Sequence, residues 1–219
     1  MNRFSNYPRF RDPLSPWTFT AAAGFAILLL SGCTYGLNGS NESHFRQYQT
    51  ALPKGDTVTV CSGYGCKAQT TYPFSRADIL HIAGIFQSVP RSRSAAEERR
   101  AIAYAVAWIE AKVGNDIGTA NDRPSIDIAA SGDPGQMDCV DEATNSTSYL
   151  LIMEKHGLLK FHTVSSPISK GNLIDGRWPH YGARIHETKT DIDWTVDSSM
   201  YANGERPIIM PSNDWYIPS

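Results

Sequence analysis

The chain has 219 residues, of which 41% are apolar and 19% charged, so it can form one ordinary domain with some extra but not two full domains. This composition can bury a core, which excludes a largely disordered chain. The formal charge is −2 and no stripe of Lys and Arg is present, so no nucleic-acid partner is expected.

The N-terminus has the pattern of a secretory signal peptide. Arg3, Arg9 and Arg11 precede an apolar stretch over residues 19–30, and signal peptides combine such a positive region with a short hydrophobic one. The stretch falls short of the roughly 20 residues that span a bilayer. A signal peptide is therefore favoured over a transmembrane anchor.

The apolar stretch ends in Leu30-Ser-Gly-Cys33, which resembles the lipobox of bacterial lipoproteins. The resemblance implies that residues 1–32 are removed and that Cys33 is acylated. The protein would then be anchored to a bacterial membrane through lipid and would face the periplasm. The remaining chain carries 17 basic and 21 acidic residues, for a net charge of −4. Export also makes disulfides permissible.

The mature chain begins with a polar segment and a small cysteine loop. Residues 33–56 are rich in Gly, Asn, Ser and Gln and predict a tether, which leaves 57–219 as the domain. A β-branched, alternating run over 57–61 predicts a strand. The two glycines between Cys61 and Cys66 let the chain turn back, which favours a disulfide over a zinc site with no second ligand pair nearby.

Three helices are predicted from capping residues and apolar periodicity. Each has a polar residue that can cap its N-terminus and a Gly or Pro that can end it. The predicted starts and ends are Ser75 or Asp78 to before Pro90, Ser94 to Gly114, and Asp138-Cys139 to Gly157.

After the third helix the apolar period changes from 3.6 to 2. Strands are predicted over residues 158–164, 180–185 and 192–197, with Gly and Pro in the gaps. Such gaps suit hairpin links and an antiparallel sheet. Helices followed by strands predict an α+β domain in which helices pack on a small antiparallel sheet.

Cys139 is the candidate nucleophile. Once Cys33 carries lipid and Cys61 pairs with Cys66, it lacks a disulfide mate, and it lies at a predicted helix start where the macrodipole favours a thiolate. A cysteine nucleophile also needs a base and a group that orients the base. His180 begins one predicted strand and Asp197 ends the next, so a hairpin would bring the two to one sheet edge.

The segments around these residues resemble the transglutaminase-like superfamily. Gln136-Met-Asp-Cys139-Val-Asp-Glu is similar to its nucleophile helix, Pro179-His180-Tyr-Gly-Ala to its histidine strand, and Asp193-Trp-Thr-Val-Asp197 to its acidic strand. The branch it resembles most is the exported bacterial transglutaminase-like cysteine peptidases. The resemblance covers about residues 130–200 and implies a papain/transglutaminase-like fold.

The resemblance assigns a role to each member of the trio. Cys139 would be the nucleophile, His180 the general base and Asp197 the orienting carboxylate. Gln136 is a candidate donor to an oxyanion, as side-chain amides are in other cysteine hydrolases. His186 is the rival base, and Asp191 and Asp193 are the rival carboxylates. The remaining histidines are interpreted as ordinary surface or core residues: His44, His81, His156 and His162.

No cofactor is expected. The resembled branch places acids on both sides of the nucleophile for calcium, whereas here Asp138 precedes Cys139 and Val140 follows it. Asp141 and Glu142 come one step later, and this departure disfavours calcium. A zinc site built on the trio would lack the usual second thiolate or paired histidine.

The sequence is compatible with two functions. The first is an exported thiol hydrolase or acyltransferase that attacks an amide bond of an envelope protein or peptide, as a peptidase, amidase or transglutaminase. The alternative is a non-catalytic lipoprotein that uses the same fold to bind an envelope protein or peptide. The complete trio favours the enzyme, and the altered residues beside Cys139 and His180 favour the binder.

Overall fold

The computed structural model describes residues 39–89, 94–124, 131–171 and 179–216. The predicted signal peptide, the lipobox and Cys33 lie outside these ranges. The fold is α+β, as predicted. Across the described ranges, no helix is both long and apolar enough to cross a membrane.

The described chain begins with a helix and a hairpin followed by three helices, and strands dominate its second half. In chain order the elements are α1 Asn41–Gln47, β1 Thr57–Ser62, β2 Ala68–Pro73, α2 Arg76–Ser88, α3 Ala95–Ile117, α4 Cys139–Lys155, β3 His162–Lys170, β4 His180–Glu187, β5 Ile192–Asp197, β6 Ile208–Pro211 and α5 Ser212–Tyr216.

The strands form two antiparallel sheets. β1 and β2 make a hairpin, and β3 to β6 make a four-stranded sheet in chain order. β4 and β5 pair with Ala183 opposite Val196 and Ile185 opposite Trp194. This register brings the start of β4 and the end of β5 to the same edge, as the sequence predicted for His180 and Asp197.

Helix α4 lies at the centre of the molecule, between β1 and the four-stranded sheet, and nearly all of its side chains are buried. Its C-terminal half supplies Leu150, Ile152 and Met153 to the core. Its N-terminal half is polar, and buried polar groups need partners. Thr144 donates to the Val140 carbonyl at 2.7 Å, and Asn145 binds the Cys61 backbone at both its N–H and its carbonyl, at 2.7 and 2.9 Å.

The helix starts follow the predicted caps. Ser75 caps α2 and Asp78 closes a capping box with it, and Asp138 caps α4 in the same way with Asp141. The predicted end of α3 at Gly114 was wrong, since α3 continues to Ile117 and ends at Gly118, whose φ of 92° is left-handed. A Cβ on Gly114 would lie 3.1 Å from the Ala120 backbone, so this glycine serves close packing within the helix.

Residues 39–56 depart from the predicted tether. Residues 41–47 form α1, in which His44 and Phe45 are buried. The His44 Nε2 lies 2.8 Å from Thr144 Oγ1 on α4. These two inward-facing side chains tie a largely polar segment to the domain, so the ordered fold begins before residue 57.

The first strand of the large sheet begins later than predicted. β3 covers 162–170 rather than 158–164. The Leu158 N–H is bound by the Met153 carbonyl and still belongs to the end of α4. The Glu98 carboxylate on α3 accepts the N–H groups of Lys160, Phe161 and His162, which holds the start of this segment against α3.

Candidate active site

Cys139 is the first residue of α4 and lies beneath the start of β4. Its side chain is buried, with 4% of the residue exposed, and it is the free cysteine among the described residues. The Sγ lies 3.7 Å from the Pro179 carbonyl and accepts the backbone N–H of Tyr181. The thiol therefore contacts the backbone on both sides of His180.

The electrostatic environment of this thiol differs from the expectation for a helix start. Burial, together with the charges of Asp138, Glu142 and Asp197, raises the pKa of Cys139 to about 12, against the hydrogen bond from Tyr181. In the structure as it stands the thiol is neutral, because these effects outweigh the helix macrodipole. A thiolate would form only when a base takes the proton.

His180 and Asp197 form a hydrogen-bonded pair. The His180 Nε2 donates to Asp197 Oδ2 at 2.7 Å, and 20% of the histidine side chain is exposed against 4% of the aspartate. Hydrogen bonds from His180, Trp215 and Ser199 hold the pKa of the buried Asp197 below its usual value, although burial alone would raise it. The aspartate is thus ionised and fixes the imidazole.

Trp215, in the short helix α5, completes the surroundings of this pair. Its indole Nε1 donates to Asp197 Oδ2 at 2.9 Å, and its ring stacks on His180 with centroids 5.4 Å apart. Lys170 on β3 lies over the indole and donates to the Trp215 carbonyl at 2.6 Å. The sequence reasoning missed Trp215 because α5 is one short turn without a periodic pattern.

Tyr181 and Gly182, which follow His180, pack closely against side chains of neighbouring elements. Gly182 leaves room for Thr195 and for the Trp215 ring, which would lie 3.4 Å from a Cβ at this position. The Tyr181 ring meets Tyr48 edge to face at 6.0 Å, and the two side chains are hydrogen-bonded. Tyr48 follows α1 directly and belongs to the segment that the sequence predicts as a tether, residues 33–56.

Tyr48 is a second residue that the sequence reasoning missed. It interacts electrostatically with Cys139 and Asp138 as well as with Tyr181, and its burial raises the pKa of its hydroxyl. The hydroxyl is therefore neutral and donates to Tyr181. No local pattern marks this residue, because its role depends on how α1 packs on α4.

Gln136 is buried, but its amide has other partners. The Nε2 donates to the carbonyls of Asn121, at 3.0 Å, and Gly135, at 3.4 Å, while Oε1 accepts the Arg123 N–H at 3.3 Å. These bonds hold the polar loop in front of α4. An oxyanion role for Gln136 stays a prediction, and this arrangement does not favour it.

The rival histidine forms a pair of its own. The His186 Nδ1 lies 3.0 Å from Asp193 Oδ1, with Asp191 3.5 Å from Nε2. This second His–Asp pair lies on the same two strands as His180 and Asp197. Within the described ranges, the Cys139 thiol contacts the backbone of Pro179 and Tyr181, which flank His180, and not this second pair, so the pair offers a matched comparison.

The hydrogen bonds of the acids around Cys139 do not favour a calcium site. Calcium takes six to eight oxygen ligands, whereas the carboxylates of Asp138 and Asp141 accept backbone N–H groups at 2.6–3.3 Å. Within the described ranges, the group of residues that could hold a metal is Cys61, Cys66 and Asp141. Cys61 and Cys66 are bonded to each other in the predicted disulfide, which the structure confirms.

Comparison of the chain with protein-family models, with curated proteins and with solved structures found no match.

Proposed function

We propose that the protein is a thiol hydrolase or acyltransferase that attacks an amide bond through Cys139, His180 and Asp197, in a papain/transglutaminase-like domain. The observation that carries this proposal is the partly buried His180–Asp197 hydrogen bond on the strand whose backbone the helix-start thiol contacts. A His–Asp pair orients an imidazole and raises its ability to take a proton. The thiol is held against the backbone of Pro179 and Tyr181, the two neighbours of this histidine in the chain.

The chemistry follows from which nitrogen is free. Because Nε2 of His180 donates to Asp197, Nδ1 is the nitrogen that can take the thiol proton as Sγ bonds to the substrate carbonyl carbon. Collapse of the tetrahedral intermediate breaks the C–N bond, and His180 returns the proton to the leaving amine. The resulting thioester passes its acyl group to water, as in a peptidase or amidase, or to a second amine.

Two donors are placed to bind the oxyanion. The Cys139 backbone N–H is at the first turn of α4, where helix donors lack intrahelical acceptors, and it has no partner among the described residues. We propose the Tyr48 hydroxyl as the second donor, in place of Gln136, once it releases its hydrogen bond to Tyr181. Donors directed at the developing negative charge are commonly the largest catalytic contribution.

A second candidate function is supported by the state of the thiol. Cys139 is 4% exposed and neutral, and a protein that only binds an envelope peptide needs neither an accessible thiol nor a thiolate. In that case His180, Asp197 and Trp215 would stabilise a binding surface. The two functions differ in whether an acyl group ever becomes bonded to Cys139.

The test is acylation of the full chain with p-nitrophenyl acetate, followed by intact-mass and peptide mass spectrometry. We expect a thioester on Cys139 that is lost in Cys139→Ala and strongly reduced in His180→Ala. The matched control is His186→Gln, which removes the other paired histidine of the same strands and should leave the rate unchanged. Equal labelling of the wild type and His180→Ala would exclude the triad and favour the binding protein.

Hydrolysis and amine transfer can be separated once the thioester is seen. The full chain is incubated with casein and a fluorescent amine. Incorporation of the amine would indicate a transglutaminase, and release of casein fragments would indicate a peptidase. Neither product, with a thioester formed from the ester probe, would indicate an amidase for smaller substrates.

The proposed location is the cell envelope, with Cys33 as the site of lipidation and the domain facing the periplasm. The support is the signal-peptide pattern and its resemblance to a lipobox. Cys33→Ser should give an uncleaved precursor or a protein that leaves the membrane fraction, as seen on blots. Normal processing and full membrane retention of Cys33→Ser would exclude the lipobox.

A further inference from the structure

The loop closed by the Cys61–Cys66 disulfide has an uncommon backbone. Its residues Gly63, Tyr64, Gly65 and Cys66 all have positive φ, at 76°, 71°, 66° and 59°. A left-handed conformation is unfavourable for residues with a Cβ, and here Tyr64 and Cys66 both carry one. Surrounding contacts must hold such a turn in place.

The left-handed turn points its N–H groups at the start of α4. Tyr64 and Cys66 donate to the two oxygens of Asp141, at 2.8 and 2.6 Å. Gly65 donates to Asp138 Oδ1 at 3.1 Å. Successive N–H groups that converge in this way form a concave anion-binding site, and here the bound anions are two side chains of the protein itself.

The two acids that receive these bonds are the capping residues of α4. Asp138 Oδ1 also accepts the N–H groups of Val140 and Asp141, at 3.1 and 3.0 Å. Asp141 is fully buried and accepts the Asp138 N–H in return. The loop and the first helical turn thus share one hydrogen-bond network, and Cys139 lies between its two carboxylates.

Buried carboxylates make this network dependent on the loop. Burial and the neighbouring Asp138 raise the pKa of Asp141, and the N–H groups of Tyr64 and Cys66 oppose that rise. Without these donors, the buried Asp141 would lose two of its three backbone hydrogen bonds. The first turn of α4 would then loosen, and the position of the thiol would become variable.

We propose that the Cys61–Cys66 loop is a positioning element of the catalytic site, in which the disulfide holds a left-handed turn whose backbone N–H groups fix the first turn of α4 and therefore Cys139. This proposal rests on the proposed function for the role of Cys139, but the placement itself can be measured without any catalysis. A disulfide that only staples the domain would stabilise all elements alike.

Two glycines give a matched pair of variants. Gly65 and Gly55 have φ of +66° and +65°, and neither has an atom within 4 Å of an added Cβ. Gly65→Ala and Gly55→Ala therefore carry the same backbone cost. Only Gly65 belongs to the loop that binds the α4 caps, whereas Gly55 precedes β1.

The experiment is hydrogen–deuterium exchange on the full chain, resolved to peptides. In Gly65→Ala we expect the amides of residues 139–142 to exchange at least about tenfold faster, because a hydrogen bond to a charged group contributes about that factor to an equilibrium. The C-terminal half of α4 and strands β4 and β5 should not change. Gly55→Ala should leave residues 139–142 as in the wild type.

A second readout follows the thiol itself. The rate at which iodoacetamide alkylates Cys139, measured by mass across a pH series, should rise and shift its pH midpoint in Gly65→Ala but not in Gly55→Ala. Cys61→Ser/Cys66→Ser should produce the same changes in larger measure. Equal effects of the two glycine variants, or faster exchange spread evenly over the whole domain, would overturn the proposal.

The failure of this proposal is distinguishable from failure of the proposed function. If no thioester ever forms on Cys139, the proposed enzymatic function fails. Faster exchange confined to residues 139–142 in Gly65→Ala would still show that the loop positions Cys139. If the thioester forms while both glycine variants behave alike, the proposed enzymatic function stands and the loop has only a general structural role.

Discussion

At the scale of single residues, the candidate site combines an ionised acid with a neutral thiol. Asp197 is surrounded by donors and keeps its charge although it is buried. Cys139 is surrounded by acids and a carbonyl and keeps its proton. In the proposed mechanism the proton moves to His180, which is bonded to the acid and adjacent in the chain to both backbone partners of the thiol.

The Tyr48 hydroxyl can be tested by removing one atom. Tyr48→Phe keeps the ring contact with Tyr181 and deletes only the donor. We expect acetylation of Cys139 to slow about 100-fold, the cost of losing one oxyanion donor, with little change in the thermal midpoint. Phe45 is buried in the same helix and offers no hydroxyl, so Phe45→Leu serves as a control for damage to α1. An unchanged rate in Tyr48→Phe would assign this tyrosine to packing alone.

Trp215 should affect the pH dependence of the reaction. Trp215→Phe keeps an aromatic ring against His180 but removes the N–H that helps to lower the pKa of Asp197. The pKa of Asp197 then rises, so the acid limb of the acetylation profile should move to higher pH. Trp194→Phe is the matched control, because its N–H donates to Glu187 at 3.2 Å on the same sheet. Identical profiles for both variants would contradict a positioning role for Trp215.

At the scale of elements, helix α1 is held by a histidine that must stay neutral. Burial lowers the pKa of His44 to about 4 from an ordinary value of 6.5. The unfolded chain therefore takes up the proton first as the pH falls below 6.5, and the histidine's contribution to stability is lost between there and pH 4. Acid should loosen α1, and with it Tyr48.

This gives a prediction with a defined sign. Between pH 7 and pH 5 the wild type should lose about 2 kcal/mol of unfolding free energy relative to His44→Gln, whose amide can still bind Thr144. Urea unfolding at several pH values measures the difference. His81→Gln removes an exposed histidine of α2 and should follow the wild type. A pH dependence that persists in His44→Gln would place the titrating group elsewhere.

The elements also show what the sequence could and could not predict. The start of α4, the strands of His180 and Asp197 and the cysteine loop were predictable, because caps, alternation and glycine spacing are local signals. Helix α1 was not predictable, because only two of its seven side chains are buried and the polar residues around them indicate a tether. Trp215 and Tyr48 reach the site through contacts between distant segments, which leave no local pattern.

At the scale of the whole molecule, the interface between α3 and α4 buries acids. Glu110 on α3 and Glu142 on α4 line a small internal cavity with Asn145 and Asn203, and Glu142 Oε2 has no hydrogen-bond partner among the described residues. Burial raises the pKa of Glu110 to about 8 and raises that of Glu142 well above its ordinary value. The folded state therefore favours the protonated acids.

The free energy of unfolding depends on pH in the opposite direction for these acids than for His44. An acid whose pKa is raised on folding destabilises the protein as the pH rises from its unfolded value, here 4.5, toward 8. Glu110→Gln should remove about 2 to 3 kcal/mol of the loss between pH 5 and pH 7. Glu97→Gln, on the same helix and in a partly exposed pair with Arg100, should not. Parallel urea curves for the wild type and Glu110→Gln at all pH values would contradict this.

The position of Trp215 near the end of the described chain has a consequence for the order of assembly. Cys139, His180 and Asp197 all leave the ribosome before Trp215, and the tryptophan contributes both the stacked ring and a donor to the aspartate. Until residue 215 has emerged, the nascent chain holds the three proposed catalytic residues without the tryptophan that orders the His180–Asp197 pair. In the proposed enzyme, the triad is therefore completed only after the chain as far as α5 has been made.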